Sequence, residues 1–326
     1  MGSPSPEAGP GPLVLALVGP TASGKSDLAL DVADSRPFPV EIVSCDAFQI
    51  YRRLDIGSGK PTPEMRARRP HHLLDALDPD DPCTAGRYAE LAAATVRDAW
   101  RRGAVPLVVG GSGLYFRALR DGIFEGPEPD PRLRARLDAI YRRPSGPRWM
   151  ERLLARLDPA VHRRVHPNDR VRRVRALEVA LAAGEPISRL QATRRPPLPE
   201  AEWRIAGLDP PRDLLEARIA RRVRGMFAAG LLQEVRGLLE RYPGEWPGRL
   251  AIGYREVLGA LAEEGGARDL PDRLRAAEER VVIATRRYAK RQLTWFRAER
   301  DVNWVRGAAG DPAALEGVER VFLGSA

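Results

Sequence analysis

The sequence predicts an α/β protein whose P-loop core, built on a parallel sheet, is interrupted by a mostly helical insertion domain. Near the start of the chain, an apolar strand runs directly into a glycine loop and a helix. Further strand-sized apolar segments alternate with helical patterns, which is typical of a parallel sheet covered by helices on both faces. The pattern becomes almost purely helical over 124–199 before core elements return. We therefore predict a core of 13–123 and 200–326, an insertion domain at 124–199 and a flexible tail at 1–12.

The predicted strands of the core each end next to a glycine or an acidic residue. The apolar segment 13–18 precedes the glycine loop, and the segment 40–44 is a second strand that ends at Asp46. A helical pattern over 86–102 follows further along the chain. A third buried strand over 105–109 is ended by two glycines. This alternation is the basis for the predicted parallel sheet.

Prolines predict a linker at each end of the insertion domain, and helical patterns lie between them. Beyond the insertion, the chain returns to one strand and then to long helices. The later predicted elements are helices over 132–141 and 149–157, an arginine-rich segment to 183, a strand over 203–208, a helix over 212–242 and a last long helix over 271–297.

Composition favours a globular protein with a polyanionic partner. The chain has 326 residues, 43% of them hydrophobic, and a net charge of +9. A basic surface attracts nucleic acid, although an arginine-rich proteome would produce the same balance. No apolar run approaches the roughly 18 residues of a membrane span, so we expect no membrane contact. With two cysteines and no secretion signal, the sequence favours a reducing cytoplasm, and we expect the protein to act as a monomer.

One motif carries a specific chemistry. The segment 19–26 matches the P-loop pattern G-x-x-x-x-G-K-[ST], and it lies between a strand and a helix as that pattern requires. Its backbone N–H groups can surround phosphate oxygens, and the helix N-terminus adds partial positive charge. Lys25 can neutralise the terminal phosphates, and the Ser26 hydroxyl can bind Mg²⁺. The predicted phosphate-binding residues of the loop are Gly19, Pro20, Thr21, Ala22, Ser23, Gly24, Lys25 and Ser26.

The P-loop indicates a bound di- or triphosphate but does not identify the compound. The usual companion of this loop is an acidic residue after a buried strand, and Asp46 is the candidate. A nucleotide-dependent kinase or ATPase is therefore the first alternative that the residues allow. A non-catalytic P-loop protein that binds RNA is the second.

Seven segments, taken in order, resemble the tRNA dimethylallyltransferase family, also called tRNA isopentenyltransferase. They are GPTASGKS, EIVSCDAFQIYRRLDIGSGKP, RPHHLLDALDP, VVGGSGLYFRAL, HPNDRVRRVRALEV, IGYREVLGAL and IATRRYAKRQLTWFR. These segments span nearly the whole chain after residue 12. Some positions depart from the usual family pattern. Ala47 and Phe48 stand where the family usually has Ser and a variable residue, and Ser112 replaces a threonine while keeping a hydroxyl group.

The resemblance implies a dimethylallyl transfer from dimethylallyl diphosphate to tRNA. The acceptor would be the exocyclic amine of the adenosine 3′ of the anticodon, drawn out of its stack to react. Lys25 and a Mg²⁺ held partly by Ser26 would stabilise the leaving diphosphate, and Thr21 would add a hydrogen bond. Asp46 would accept the proton of the amine, its alternative roles being a turn cap or an indirect Mg²⁺ ligand. We therefore predict Asp46, Thr21 and Lys25 as the catalytic residues.

The resemblance also implies contacts with the tRNA anticodon loop. An arginine-rich helix in the insertion domain would offer guanidinium groups to phosphates and base edges, with Val171, Val174 and Leu177 on its apolar face. The alternative is a solvated helix face, which is the more common role of such charge runs. The predicted tRNA-binding residues are Asp46, Ala47, Phe48, Gln49, Ser112, Arg170, Val171, Arg172, Arg173, Val174 and Arg175.

Two later helices add basic residues to these predictions. Arg218 and Arg222 lie four positions apart on one helix face, where they would reach the diphosphate or pair with an acidic residue such as Glu216. The last long helix combines arginine and lysine with aromatic residues, as surfaces for single-stranded RNA do. Within that helix, the spacing favours the protein core for Trp295 and Phe296.

Overall fold

The computed structural model describes residues 12–124, 126–127, 130–263, 269–299 and 301–324. It divides the chain into two compact units, one formed by 1–119 with 198–326 and the other by 120–197. The corresponding divisions in the prediction lie after 123 and after 199. Of the predicted tail at 1–12, residues 1–11 lie outside the described residues. No described helix combines the length and the apolar character that crossing a bilayer requires.

The first unit contains a parallel sheet, which confirms the predicted α/β fold class. Its six described strands lie in the order β3-β2-β4-β1-β5-β6. Val18 is in register with Gly110 and Gly207, and Cys45 is also in register with Gly110. The loops after these strands therefore leave the sheet at the same level. The strands are β1 (Leu13–Val18), β2 (Val40–Cys45), β3 (His71–His72), β4 (Val105–Gly110), β5 (Glu202–Asp209) and β6 (Asn303–Arg306).

Helices make up most of the remaining described chain, together with one 3₁₀ turn at Pro247–Leu250. In chain order they are α1 (Lys25–Ser35), α2 (Pro63–Arg68), α3 (Ala85–Arg101), α4 (Gly113–Asp121), α5 (Pro131–Tyr141), α6 (Gly146–Leu157), α7 (Pro159–Arg164), α8 (Arg170–Ala183), α9 (Ile187–Ala192), α10 (Arg212–Ala228), α11 (Leu231–Arg241), α12 (Tyr254–Ala262), α13 (Leu270–Arg297) and α14 (Pro312–Leu323).

Alternate side chains of β1 enter two different hydrophobic cores, one on each face of the sheet. Val14, Ala16 and Val18 pack with residues of α3 and α11. Leu15 and Leu17 pack with residues of α1 and α14 on the other face. Burial on both faces explains why the strand reads as a continuous apolar segment instead of an alternating one.

Several elements differ from the prediction. The predicted helix over 212–242 is two helices, α10 and α11, because Gly230 adopts a left-handed φ of 100° between them. The apolar and helical patterns of the sequence did not predict β3, β6 or α14. β3 has two residues and β6 has four, which is too short to leave a clear apolar pattern. β6 and α14 return the chain to the sheet after α13.

The second unit comprises α5 to α9 around its own small core. Leu137, Leu154 and Leu177 come together there from three different helices. Aspartates begin several of these helices, and the fully buried Asp158 accepts hydrogen bonds from the N–H groups of Val161 and Ser188. The unit therefore has both a hydrophobic centre and a buried polar anchor between two of its helices.

The predicted apolar face of α8 needs a correction. Val174 and Leu177 are buried in the core of the second unit, as expected. Val171 is 78% exposed instead. It lies in the first turn of α8, and its side chain faces solvent.

Candidate active site

The glycine loop links the end of β1 to the start of α1. Gly19 and Gly24 both have positive φ angles, 145° and 86°. At Gly24, a Cβ atom would lie 2.4 Å from the Cβ of Ala309. The positive φ and this close contact both require glycine at the position. Ala22 also has a positive φ, of 62°, which is unusual for a residue other than glycine. The loop is thus held in a single tight conformation that directs the start of α1 towards a cavity.

Lys25 extends from the first position of α1 back over this loop. Its ammonium donates a hydrogen bond to the Pro20 carbonyl at 2.6 Å. Burial, and then the positive Arg222, lower the pKa of Lys25 to about 7, while the negative Asp46 opposes that shift. A buried cation with these neighbours is destabilised until an anion arrives. The surroundings of Lys25 therefore suit a phosphate ligand.

A cavity of about 600 Å³ opens next to the loop. It brings together most of the predicted site residues of the first unit. Its lining includes Thr21, Ala22, Gly24, Lys25, Ser26, Asp46, Phe48, Gln49, Arg218 and Arg222. Of the other predicted residues in this unit, Gly19, Pro20, Ser23, Ala47 and Ser112 lie outside that lining, in the same loops. The cavity also has walls that were not predicted, formed by 57–61 and by α13.

Asp46 follows β2 at the same edge of the sheet. Its Oδ1 accepts hydrogen bonds from the N–H groups of Phe48 at 2.9 Å and of Gln49 at 3.3 Å. Both bonds end on the same oxygen, so the turn orients the carboxylate while the residue lines the cavity. The turn-cap role proposed as an alternative is therefore present, and it is compatible with a role in proton transfer.

Gln49 lines the cavity, but its amide also holds the cavity wall together. Its Oε1 accepts a hydrogen bond from the Ser44 hydroxyl at 3.1 Å. Its Nε2 donates to the carbonyl of Gly59 at 3.1 Å and, at 3.5 Å, to that of Ser58. Both ends of the amide are engaged, so Gln49 fixes the segment 57–61 in this structure. Its contact with a tRNA base stays a prediction.

Ser112 connects the turn after β4 to the Asp46 segment. Its N–H donates to the Cys45 carbonyl at 3.3 Å, and its Oγ accepts from the Ala47 N–H at 3.1 Å. At Gly110, a Cβ would lie 2.0 Å from the Cys45 carbonyl oxygen, so the two loops approach as closely as glycine allows. The Ser112 hydroxyl thus supports the backbone next to Asp46.

Arg218 and Arg222 both face the glycine loop after β1 and the adjoining wall at 57–61. Arg218 donates to the carbonyls of Ser23 at 3.3 Å and Ala309 at 2.6 Å. Arg222 donates to the Ser58 carbonyl at 3.2 Å, and burial lowers its pKa. In the part of the chain that the structure describes, neither arginine forms the alternative ion pair with Glu216, whose carboxylate pairs with Arg212 and Arg286. Two guanidinium groups therefore accompany Lys25 around the cavity.

Several residues of the site were missed by sequence reasoning. On α13, the unpredicted Gln292 lines the cavity, next to Tyr288 and Arg291 of the basic and aromatic pattern that was predicted to suit RNA. Burial raises the pKa of Tyr288, so its hydroxyl stays protonated at neutral pH. Glu234 accepts hydrogen bonds from the N–H groups of Asp55, Ile56 and Gly57, where the chain enters the wall at 57–61. The segments that resemble the family included α13, but a basic helical pattern does not show which of its residues face a cavity.

In the second unit, the predicted arginines have different surroundings. Arg173 is 4% exposed, so its predicted placement on an exposed helix face is wrong; its guanidinium donates to the carbonyls of His166 and Val165 and supports the loop before α8. Its contact with tRNA stays a prediction. Arg170 pairs with Asp138, Arg172 with Asp169 and Arg175 with Glu178. Of the three arginines in these ion pairs, Arg172 has the most exposed side chain, at 62%.

The two aromatic residues at the end of α13 belong to the hydrophobic core or pack against it, as predicted. Phe296 is fully buried in the core under the sheet. Trp295 packs against that core, with the Arg117 guanidinium 4.4 Å from its ring centroid. A Cβ at Gly113 would meet the Trp295 ring at 2.2 Å, so the start of α4 packs directly on the indole.

Comparisons with known proteins all identify the same family. A family model described as IPP transferase matches residues 49–299. A tRNA dimethylallyltransferase of Koribacter versatilis is 44% identical over 310 residues, covering 94% of this chain and 96% of the relative. One of Anaeromyxobacter dehalogenans is 48% identical over 299 residues, covering 92% and 96%. The chain is thus similar to these relatives over almost the whole of both sequences.

Solved structures agree with the sequence relatives. The full-length tRNA isopentenylpyrophosphate transferase from Bacillus halodurans aligns with a TM-score of 0.66 at 31% identity, covering 96% of this chain and 95% of that one. A eukaryotic dimethylallyltransferase acting on tRNA aligns with a TM-score of 0.71 at 25% identity, covering 91% and 74%. The similarity in fold therefore extends across both units of the chain.

Proposed function

The chain belongs to the IPP transferase family, and on that premise we propose how it transfers a dimethylallyl group from dimethylallyl diphosphate to tRNA. The acceptor is the exocyclic amine of the adenosine 3′ of the anticodon. The observation that carries the proposal is the single cavity that joins the P-loop, with Lys25, to Asp46. One side of it suits a diphosphate, and the other offers a carboxylate to an amine.

The P-loop side would stabilise the leaving group. As the bond between the allylic carbon and the diphosphate oxygen breaks, negative charge accumulates on the diphosphate. Lys25, Arg218 and Arg222 surround the part of the cavity where that charge would form. Cations fixed in a buried site stabilise developing charge without reorganising, which is the main source of catalysis in such sites. Thr21 also lines this part and would donate a hydrogen bond through its hydroxyl.

The Asp46 side would act on the acceptor. The adenine amine attacks the allylic carbon, a carbon–nitrogen bond forms, and the nitrogen must lose a proton. Asp46 would accept this proton, because its carboxylate lines the cavity and is oriented by its own turn. General-base catalysis of this kind contributes about 10²–10⁴ in rate. Phe48 also lines the cavity next to Asp46 and would offer a flat apolar surface to the base.

Mg²⁺ fits this site as an ion bound jointly by substrate phosphates and protein. Among the described residues, no group of three or more His, Cys, Asp or Glu side chains could hold a metal. Ser26 and Asp27 nevertheless line the cavity at the start of α1. Mg²⁺ commonly binds through one or two protein oxygens together with phosphate oxygens and water. Ser26 would hold it, and the bound ion would supply positive charge to the leaving diphosphate.

The second unit would bind the tRNA. Its first turn of α8 carries Arg172 and the exposed Val171, a combination of charge and apolar surface that suits RNA loops. The net charge of +9 supports attraction of a polyanion by the whole chain. We further propose that the protein works in the cytoplasm, where tRNA is modified, and that it does so as a monomer.

One assay tests the proposal. The protein is incubated with unmodified tRNA, Mg²⁺ and dimethylallyl diphosphate labelled in the allyl group, and ATP labelled in the terminal phosphate serves as a parallel donor. We expect label from the allyl donor in the adenosine next to the anticodon and none from ATP. Phosphate transfer from ATP would favour the kinase alternative. Binding of tRNA without turnover of either donor would favour the non-catalytic one.

A further inference from the structure

Gln292 lies in α13 with its side chain between two loops of the cavity. Its Oε1 accepts a hydrogen bond from the Thr21 N–H at 2.8 Å, and its Nε2 donates to the Gly111 carbonyl at 2.9 Å. The residue is 5% exposed. A single buried amide therefore connects the donor loop after β1 to the turn after β4.

The space around this amide is closely fitted. A Cβ at Gly111 would lie 2.2 Å from Gln292 Nε2, so this glycine leaves room for the side chain. The Thr21 N–H, which would otherwise be free to meet a phosphate, is directed to Gln292. A glutamine is the residue that satisfies both loops at once, because its amide accepts at one end and donates at the other.

The connection continues towards the acceptor side of the cavity. The residue after Gly111 is Ser112, whose Oγ accepts from the Ala47 N–H at 3.1 Å. Ala47 is the neighbour of Asp46. A chain of short contacts thus runs from Thr21 through Gln292 and the glycine turn to the segment that holds the proposed base.

The geometry of the reaction explains why the distance between these two loops matters. A transfer between two bound substrates requires the reacting atoms about 3–3.5 Å apart, and an error of about 1 Å can cost roughly 10²-fold in rate. The donor is held by one of the connected loops and the acceptor by the other. Their separation therefore sets how closely the allylic carbon approaches the amine.

We infer that Gln292 is a positioning residue that sets the separation between the donor loop and the acceptor-side turn. It acts through Thr21 and Gly111, and its hydrogen bonds are made to protein backbone. The inference rests on the proposed function for the meaning of that separation. It goes beyond that function in assigning a role to a buried amide on α13.

Two variants of Gln292 separate its two hydrogen bonds. Gln292→Met has a similar volume and removes both bonds. Gln292→Glu still accepts from the Thr21 N–H, but its ionised carboxylate cannot donate to Gly111; when protonated, it can donate again. Gln233→Glu, at an exposed position of α11, controls for the added charge. For each protein we would measure single-turnover transfer at saturating donor and tRNA over a pH series, donor affinity, thermal stability and exchange of the Thr21 amide hydrogen without donor.

We expect Gln292→Met to slow single-turnover transfer by about 10- to 100-fold, with little change in donor affinity. Gln292→Glu should be similarly slow at high pH and should recover towards the wild-type rate as pH falls and the carboxyl group is protonated. A merely structural residue would not show this rescue of the rate in fully folded protein. The Gln233→Glu control should follow the wild-type pH profile.

Other outcomes would overturn the inference. Wild-type transfer rates in Gln292→Met, or a Gln292→Glu profile identical to that of the wild type, would remove the positioning role. If the wild-type protein itself transferred no allyl group, the proposed function would fail instead. In that case hydrogen exchange still tests whether Gln292 holds the donor loop. The Thr21 amide hydrogen should exchange faster in Gln292→Met than in the wild type, because its hydrogen bond is lost. An unchanged exchange rate would contradict the inferred link between Gln292 and the loop.

Discussion

The surroundings of Lys25 destabilise the charged form of its side chain. Burial and Arg222 lower its pKa to about 7, so the side chain of the free protein is charged below that pH and largely neutral above it. A diphosphate in the cavity would stabilise the ammonium and raise this pKa again. Above about pH 7, donor binding must therefore be accompanied by the uptake of a proton.

We predict that donor affinity falls as pH rises above about 7, by at most about tenfold per pH unit. The measurement is the dissociation constant of dimethylallyl diphosphate across a pH series in the absence of tRNA. Lys25→Arg is the matched variant, because its guanidinium stays charged throughout and its affinity should vary much less. A wild-type affinity that is constant across the series would show that Lys25 is already charged before the donor binds.

Asp46 gives the second prediction at this scale. Asp46→Asn keeps an oxygen that can accept from the Phe48 and Gln49 N–H groups, so the turn should persist. It loses the ability to accept a proton, and single-turnover transfer should fall about 10²-fold or more. Asp311→Asn is a control, because Asp311 also accepts from a backbone N–H, at the start of α14.

The competing roles of Asp46 predict different results. If the residue serves only as a turn cap, thermal stability should change while the rate of the folded protein survives. If it acts mainly on Mg²⁺, a higher metal concentration should restore part of the lost rate. The rate is therefore measured across a Mg²⁺ series, next to a thermal melt of each variant.

Residues of a local motif could be predicted from sequence, whereas residues that meet only through folding could not. The P-loop and Asp46 each follow a strand, and a short pattern identified them. Gln292 contacts Thr21 across 271 positions of sequence. Its importance depends on the packing of α13 against two loops, which no local pattern reports. The same reason explains why Arg173 was placed on the surface although it is buried.

Among the elements, the wall at 57–61 depends on a helix that is distant in sequence. Glu234 of α11 accepts hydrogen bonds from the N–H groups of Asp55, Ile56 and Gly57, at 2.7–3.0 Å. It also accepts from the hydroxyl of the buried Tyr254 at 2.7 Å. One carboxylate therefore holds the turn that leads into the cavity wall.

We predict that Glu234→Gln loosens this wall. An amide has one accepting oxygen instead of two, and hydrogen bonds to a charged group contribute about 1.5–3 kcal/mol, so stability should fall by about 2 kcal/mol. Donor KM should rise more than kcat falls, because the wall carries the carbonyl contacts of Arg222. Hydrogen exchange over 55–60 should accelerate. Glu240→Gln, exposed on the same helix, should change none of these quantities.

Helices and strands could be predicted in order, but not all of their ends. Helical patterns identified α3 and α13 to within a few residues, and α8 was predicted only as part of an arginine-rich segment to 183. The helical pattern over 212–242 ran through Gly230 without a break, since both α10 and α11 are helical and only the φ of that glycine separates them. The short strands β3 and β6 are defined by their pairing with a neighbouring strand, which is a tertiary property.

For the whole molecule, a basic composition was the first sign of a polyanionic partner, yet it did not show which arginines remain available. Most arginine contacts in the described part of the chain are ion pairs or hydrogen bonds to carbonyls within the protein, and all four predicted arginines of α8 make such contacts. The net charge therefore predicts that the protein attracts a polyanion, and the exposure of each arginine side chain determines where the polyanion can bind. Arg172 and Arg173 are adjacent in sequence and differ in this respect.

The last prediction uses that difference between neighbours. Arg172→Ala should weaken tRNA binding and reduce the slope of log K against log salt by about 0.7–0.9, the value for one lost phosphate contact. Arg173→Ala should instead lower stability, because its guanidinium bonds the carbonyls before α8. Donor affinity should not change in either variant. Arg212→Ala removes an 87% exposed arginine side chain of the first unit and serves as the control for net charge. If Arg172→Ala and Arg212→Ala gave the same salt slope, Arg172 would be part of an ordinary solvated helix face, and the tRNA surface would have to be sought elsewhere on the second unit.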